Sequence, residues 1–305
     1  MLRKITLTCV DAGGGHACGL ALGLKRYGKV TIVWKNKNKH GLDYLVPDAK
    51  FGFNHIPPEG DDLIIVSCIT YDHLEIHFGK HKFGRILKNY KRVHIIVTDG
   101  RIWKNPDYYN KVFVGYDVLA TACKRYFREP YPVKTYYQPF DLSLFSLNKN
   151  KELTIAHSPF VQMKFREKGT QQIIEATKGY NFDLICNVSW DECLRRKAKA
   201  HIFIDQVDHY NREQMKFKTK DYIWPALGKS GLEAMHLGCL TITYGKSYDT
   251  EIPAPPVAWC VKDSFREVLE YYIKNEKERI ELATKQREWA LKYASYDFAA
   301  QNVLR

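Results

Sequence analysis

The 305-residue sequence has no long apolar run, no low-complexity tract and no closely spaced pair of cysteines. No stretch approaches the roughly 18 to 20 apolar residues that a membrane-spanning helix needs. The first residues, Met1-Leu2-Arg3-Lys4, are not followed by the apolar core of a signal peptide. We therefore expect a cytoplasmic protein without a transmembrane segment, with peripheral attachment to a membrane as the alternative.

The eight cysteines include no C-x-x-C pair, which argues against a zinc site or a redox motif. Several of them lie in apolar runs typical of strands, such as Leu184-Ile185-Cys186. We therefore expect reduced, buried thiols rather than disulfides.

Length and charge indicate two domains with different surfaces. A chain of 305 residues exceeds what one hydrophobic core usually organises, and 45% hydrophobic content is ample for two packed cores. Residues 1–150 contain 23 Lys and Arg against 13 Asp and Glu, a net charge of +10, whereas residues 151–305 contain 24 against 21, a net charge of +3. The first half is therefore expected to face an anionic partner, unless the charge serves only solubility.

Both halves repeat a short apolar run, a turn and a helical stretch, the pattern of a parallel sheet covered by helices. We predict two Rossmann-like, doubly wound α/β domains, residues 1–150 and 151–305, joined at the polar stretch 146–151. The first half is predicted to have strands near 5–10, 30–34, 62–67, 93–98, 112–115 and 134–137, and helices near 16–27, 74–90 and 117–127. The second is predicted to have strands near 153–156, 183–186, 200–205, 239–244 and 258–261, and helices near 171–177 and after 263.

The first strand is followed by Gly13, Gly14, Gly15 and His16. Consecutive glycines let a backbone approach a ligand closely, and the helix start that follows favours an anion. The alternative is an ordinary tight turn between strand and helix.

The second half opens with His157-Ser158-Pro159 and then has three cations just before a helix start: Lys164, Arg166 and Lys168. This chemistry suits a diphosphate. A charged loop facing solvent is the alternative.

A second glycine-rich turn precedes a helix and a strand at residues 224–244. Its small residues are predicted to expose helix-start amides, and Glu233, inside the first turns, is a candidate acceptor for the vicinal hydroxyls of a ribose. The predicted binding residues in this segment are Gly228, Lys229, Ser230, Gly231 and Glu233.

The segment Gly231-Leu232-Glu233-Ala234-Met235 resembles family 4 of the GT-B glycosyltransferases. Three further segments match that family in order, 136–145 before the second domain, 157–170 as its phosphate loop and 202–206 as its next strand. Two departures are clear: Pro225 stands where the family has a sugar-contacting Glu, and Ser158-Pro159 replaces an arginine.

The resemblance implies a GT-B enzyme, with two domains facing across a cleft and the donor held by the second. It implies transfer of a hexose or pentose from a UDP- or GDP-sugar to a hydroxyl, with retention of configuration and without a cofactor or divalent metal. The absence of a D-x-D pair fits that expectation. His73, His77 and His81 have a spacing that suits either a metal or an ordinary helix face.

Candidate catalytic residues lie in the first half. Asp99 follows the predicted strand 93–98, at the edge where parallel sheets bind ligands, and its position is similar to that of an Asp in the DNA glucosyltransferases of T-even phages. An Asp-Gly turn is the alternative. His16 is a second candidate, for orienting the acceptor or the diphosphate.

The acceptor side is predicted to include Arg101 and Lys104, within a basic stretch that has aromatic residues between its cations. Such a surface suits a DNA backbone and an unstacked base. The leading prediction is a phage enzyme, in the host cytoplasm, that glycosylates hydroxymethylated pyrimidines in DNA. One alternative is glycan or lipid-linked saccharide synthesis on an anionic membrane, and another is a nucleotide-binding module without catalysis.

Overall fold

The structure is a computed structural model that describes residues 2–9, 15–35, 45–67, 88–97, 117–120, 133–135, 137–142, 145–159, 168–207, 227–245, 252–261 and 264–305. It divides into two compact units. Unit 1 comprises Met1–Pro139, Thr250–Ile252 and Tyr293–Arg305, and unit 2 comprises Phe140–Asp249 and Pro253–Lys292.

Seven described strands form the parallel sheet of unit 1, in the order β3-β2-β1-β4-β5-β6-β7. They are β1 (Lys4–Cys9), β2 (Lys29–Trp34), β3 (Lys50–Phe51), β4 (Gly60–Ser67), β5 (Tyr90–Val97), β6 (Asp117–Ala120) and β7 (Val133–Thr135). The central strands are buried on both faces, as a sheet covered by helices requires, and they are mostly apolar, with Thr6, Thr8, Asp62 and His94 as buried polar residues. The strand order reverses direction between β1 and β4.

Two helices of unit 1 pack against each other, α1 (Gly15–Leu24) and the last helix of the chain, α7 (Tyr296–Leu304). Their contact depends on glycine, because a Cβ atom on Gly23 would lie 2.2 Å from the carbonyl oxygen of Tyr296. The end of α7 is also held by the sheet, since Arg3 and Arg92 each donate to the carbonyl of Leu304 at 3.3 Å. The C-terminal segment therefore belongs to unit 1.

Five described strands form the parallel sheet of unit 2, in the order β12-β11-β10-β8-β9. They are β8 (Thr154–His157), β9 (Asn181–Leu184), β10 (Ile202–Gln206), β11 (Leu240–Tyr244) and β12 (Ala258–Cys260). The described helices of this part of the chain are α2 (Thr170–Ala176), α3 (Trp190–Lys199), α4 (Lys229–His236), α5 (Phe265–Lys274) and α6 (Glu276–Tyr293). The strand order reverses between β8 and β10.

Most predicted strands match the described ones to within a few residues, but four points differ, the first being that the short strand β3 was not predicted. The predicted helix at 117–127 is wrong at its start, because Asp117–Ala120 is strand β6; a short apolar run does not distinguish a strand from a helix. Tyr90, predicted to end a helix, begins β5. Helix α3 was not predicted.

The predicted linear division at residue 150 also differs from the compact units, since Tyr293–Arg305 returns to unit 1. The predicted strand at 112–115 and most of the predicted helix at 74–90 lie outside the described residues. None of the described helices is long and apolar enough to cross a bilayer.

Candidate functional site

The candidate site lies at the carboxyl ends of β8 and β10, where the strand order of the second sheet reverses. Because the strands are parallel, the segments that follow His157 and Gln206 leave the sheet at the same edge. In open α/β sheets, ligands bind outside the carboxyl ends of the strands at such a switch point.

Lys168 and Asp205 form an ion pair at this edge, with 2.8 Å between Lys168 Nζ and Asp205 Oδ1. The Asp205 side chain is fully buried, whereas 17% of the Lys168 side chain is exposed. The backbone holds the lysine as well, because the amide of Val207 donates to the carbonyl of Lys168 at 3.0 Å. Lys168 therefore lies between the buried carboxylate and solvent.

The second oxygen of Asp205 accepts a hydrogen bond from the amide of Gly228, at 2.6 Å. Gly228 is the N-cap of α4 and, being glycine, has no side chain of its own to cap the helix. By helix geometry the amides of Lys229, Ser230 and Gly231 lack an acceptor within the helix. These amides and the helix dipole make the start of α4 favourable for an anion.

The packing of Asp205 explains why residues 228 and 231 are glycine. A Cβ atom on either residue would lie 3.0 Å from Asp205 Oδ2, and one on Gly231 would also lie 2.7 Å from a methyl group of Leu227. Small residues are thus required here by the buried carboxylate, in addition to the amide exposure that the sequence predicts.

Glu233 lies one turn into α4 and is almost fully buried. Its Oε2 lies 2.6 Å from Lys197 Nζ, its Oε1 accepts from Trp190 Nε1 at 2.8 Å, and Lys229 Nζ is 3.8 Å from Oε1. Burial favours the neutral form of Glu233, but the charges of Lys197 and Lys229, together with the hydrogen bonds from Lys197 and Trp190, outweigh it and hold the pKa of the carboxyl below its usual value. For Lys197, desolvation lowers the pKa, but the charge and hydrogen bond of Glu233, with further contributions from Cys193 and Asp205, together outweigh it and raise the pKa.

Glu233 is therefore an ionised carboxylate with a donor already on each oxygen. A carboxylate oxygen has two lone pairs, so each keeps one for a further donor. The contact of Glu233 with a ribose stays a prediction.

Helix α3 supplies Trp190 and Lys197, the two hydrogen-bond partners of Glu233, and this helix was not predicted from the sequence. A signal for this helix is present, since Ser189 precedes it and Glu192 follows three residues later. In the structure Ser189 Oγ accepts from the amide of Glu192 at 3.3 Å. No local pattern links Trp190 or Lys197 to Glu233, some 40 residues away.

His157 joins three elements at the base of the site. Its Nδ1 lies 2.7 Å from the carbonyl oxygen of Ile204 and its Nε2 lies 2.9 Å from the hydroxyl oxygen of Thr170. Burial, together with the charge of Lys168, lowers the pKa of His157 to about 3. The ring is therefore neutral, with Nδ1 donating to the carbonyl and Nε2 accepting from the hydroxyl, and it ties β8 to β10 and α2.

The structure thus connects several predicted donor-binding residues: Lys168, Gly228, Lys229, Ser230, Gly231 and Glu233. Of the other predicted residues, Gly15 and His16 are the first residues of α1. The remainder lie outside the described residues: Gly13, Gly14, Asp99, Arg101, Lys104, Lys164 and Arg166. His73, His77, His81 and Pro225 also lie outside them. Within the described ranges, no group of three or more His, Cys, Asp or Glu side chains is arranged to hold a metal ion.

No protein-family model matches the chain, and no curated protein sequence is similar to it. Solved structures with the same fold do exist. One is an alpha-glucosyltransferase in complex with UDP and a 13-mer DNA containing a HMU base, with 12% identity, a TM-score of 0.62 and 100% of each chain covered. Another is Alr3699/HepE of Anabaena in complex with UDP-glucose, with 10% identity, a TM-score of 0.63 and coverage of 99% of this chain and 98% of that one.

A third similar structure is the catalytic domain of starch synthase IV from Arabidopsis thaliana bound to ADP and acarbose, with 10% identity, a TM-score of 0.56 and 100% of each chain covered. These proteins are GT-B glycosyltransferases. The likeness extends over the whole chain, so the predicted two-domain α/β GT-B fold is confirmed.

Proposed function

We propose that this GT-B chain is a glycosyltransferase that moves a sugar from a nucleoside diphosphate sugar to an acceptor hydroxyl. The observation that carries the proposal is the connection of Lys168, through Asp205, to the amide of Gly228 at the switch point of the second sheet. Three proteins of the same fold were solved with UDP, UDP-glucose or ADP, which supports a nucleotide donor.

In this proposal the donor diphosphate binds the Lys168 ammonium and the first amides of α4. These groups stabilise the negative charge that develops on the departing diphosphate. Lys164 and Arg166 are the candidates for a second cation, and the remaining lone pairs of Glu233 accept from the ribose hydroxyls. The donor is a UDP- or GDP-sugar, with no metal or other cofactor required.

The acceptor side is assigned to the N-terminal half. Asp99 positions the acceptor hydroxyl and His16 orients the acceptor or the diphosphate, while the turn of Gly13, Gly14 and Gly15 allows a close approach of the backbone. Following the resemblance to family 4, the sugar is transferred with retention, and the leaving phosphate takes the proton of the hydroxyl.

The favoured acceptor is a hydroxymethylated pyrimidine in DNA. The first 150 residues have a net charge of +10, which suits a polyanion, and Arg101 and Lys104 are the candidate contacts. A protein of the same fold was solved with DNA containing a HMU base. A phage enzyme in the host cytoplasm is consistent with this acceptor.

A glycan or lipid-linked saccharide is the second candidate acceptor, favoured by the likeness to a starch synthase domain bound to acarbose. With such an acceptor, the basic N-terminal half would bind the surface of an anionic membrane. A binding module without catalysis is the third candidate, motivated by Pro225 at the position of the sugar-contacting Glu.

The test incubates the purified chain with labelled UDP-glucose, and in parallel with labelled GDP-sugars, in the presence of three acceptors. These are duplex DNA with hydroxymethylated pyrimidines, the same duplex without them, and a lipid and glycan extract. Label in the hydroxymethylated duplex alone is the expected result. Label in the extract alone would show that the acceptor is a glycan or lipid instead of DNA. If the chain neither transfers nor hydrolyses any donor, an enzymatic function is contradicted.

A further inference from the structure

Asp205 lies at an irregularity of strand β10. Opposite Ile242 and Thr243, which are consecutive on β11, the paired residues are Ile204 and Gln206, so Asp205 is an extra residue in the ladder. Such a bulge changes the direction of a side chain and is frequent beside active sites. Here it accompanies a fully buried carboxylate at the carboxyl end of the strand.

The two oxygens of this carboxylate contact two segments that the chain brings from different places. Lys168, just before α2, lies 2.8 Å from one oxygen, and the amide of Gly228, at the start of α4, lies 2.6 Å from the other. The Asp205 side chain itself is fully buried. The Asp205 carboxylate therefore acts on a ligand only through Lys168 and the amide of Gly228.

We infer that Asp205 is a positioning residue for the donor diphosphate: it directs the Lys168 ammonium and the first turn of α4 toward the same anion. The inference rests on the proposed function, and it names a residue that the sequence analysis did not place in the site. A lysine ammonium on a flexible stem has many orientations, and one buried hydrogen bond selects among them before the ligand arrives. Preorganisation of this kind increases affinity by reducing the ordering that binding requires.

A competing role makes the opposite prediction. If the carboxylate only occupied the anion site in place of a phosphate, removal of its negative charge would tighten binding of a diphosphate. If it positions the site, the same removal weakens binding. The sign of the change therefore decides between the two roles.

The experiment compares Asp205→Asn with the wild type by calorimetric titration with UDP and with uridine, and with GDP and guanosine in parallel. The expected result is a rise of about tenfold in the Kd for the diphosphate, the effect of losing one hydrogen bond to a charged group. The nucleoside, which lacks the phosphates, should bind with unchanged affinity. Replacing a residue with a merely structural role would change the affinities for the diphosphate and for the nucleoside alike.

A matched control is Asp183→Asn, which removes another aspartate from an ion pair in the same unit. Asp183 accepts from Arg196 Nε at 3.0 Å and lies in β9. This variant should bind both ligands as the wild type does.

A double-mutant cycle with Lys168→Ala tests whether Asp205 acts through the lysine. In the Lys168→Ala background, Asp205→Asn should change the diphosphate Kd by clearly less than it does in the wild type, because coupled residues are not additive. Full additivity, an unchanged diphosphate Kd in Asp205→Asn, or tighter binding would each overturn the inference.

If Asp205→Asn does not fold, Gly231→Ala replaces it, since its Cβ would lie 2.7 Å from a methyl group of Leu227 and 3.0 Å from Asp205 Oδ2 and would crowd the carboxylate without removing its charge. The same rise in the diphosphate Kd is expected. The outcomes for the two proposals are distinct. A wild type that binds no nucleoside diphosphate contradicts the proposed function, whereas a wild type that binds UDP or GDP, with no change in Asp205→Asn or Gly231→Ala, contradicts only the role of Asp205.

Discussion

Lys197 and Glu233 form an ion pair in which both side chains are removed from solvent, with 2.6 Å between Lys197 Nζ and Glu233 Oε2. The aliphatic stem of the lysine runs through the core, and its ammonium also lies 4.9 Å from the centre of the Phe203 ring. The pair joins α3 to α4. Because Glu233 belongs to α4, its negative charge lies in the helix that is proposed to hold the donor.

Removing one partner of this pair should destabilise the protein strongly. Lys197→Met leaves a buried carboxylate without its cation, and Glu233→Gln leaves a buried ammonium without its anion, so each should lower the free energy of unfolding by about 3–5 kcal/mol. The double variant, which is neutral, should be more stable than either single variant. Urea unfolding of the four proteins measures this, and single variants within about 1 kcal/mol of the wild type would contradict the assignment.

The burial of neutral His157 should make stability depend on pH. The folded pKa of about 3 lies below the ordinary value of 6.5, so the unfolded chain binds a proton more readily than the folded one. The resulting stability is fully present above pH 6.5 and is lost as the pH falls toward 3. The loss between pH 6.5 and pH 5 should be about 2 kcal/mol.

Urea unfolding at pH 7.5, 6 and 5 measures this loss. His157→Gln should show a flatter dependence over that range, and His55→Gln, at an exposed position, is the matched control. Equal slopes in the wild type and His157→Gln would refute the assignment.

The docking of the last helix should depend on Gly23. An alanine there brings its Cβ to 2.2 Å from the carbonyl oxygen of Tyr296, a backbone atom that moves only if α7 moves. Gly23→Ala should therefore lower the free energy of unfolding by about 1–3 kcal/mol, as overpacking does, and should speed proteolysis of the C-terminal segment. Gly179→Ala is the comparison: no atom lies within 4 Å of its Cβ, but its φ of +87° strains an alanine, so it should lower the free energy of unfolding by about 1 kcal/mol without speeding proteolysis of the C-terminal segment.

Lys168 should matter for turnover, and its removal also leaves the buried Asp205 carboxylate without its cation. In the proposed function its ammonium stabilises the departing diphosphate, so Lys168→Ala should reduce kcat by about a hundredfold in the transfer assay. Lys178→Ala is the control, because that lysine is exposed and pairs with Glu175 on the surface. If both variants have the same kcat, Lys168 does not belong to the proposed donor site.

Binding to duplex DNA should weaken steeply with salt. Each phosphate neutralised by a lysine or arginine contributes about −0.9 to the slope of log K against log salt concentration. The variant Arg101→Ala/Lys104→Ala should therefore reduce that slope by about 2 units. Fluorescence anisotropy at several salt concentrations measures it. Binding that does not respond to salt would argue for the glycan acceptor.

The amino-acid sequence determined the architecture by itself, because that information is local. Apolar runs and turns predicted most strands of both sheets, and the turn of Gly228 and Gly231 before Glu233 pointed to the helix of the candidate site. The prediction was wrong at 117–120, where a run of three apolar residues after Asp117 is too short to carry a period that separates strand from helix.

Only the tertiary structure decided which groups meet. Lys168 is 37 residues from Asp205, and Lys197 is 36 residues from Glu233; both contacts depend on strand order, on the bulge at Asp205 and on the packing of α3 against α4. The return of α7 to unit 1 has the same origin. Periodicity reports which face of an element is buried, but the partner of that face is set by long-range packing, which no local pattern encodes.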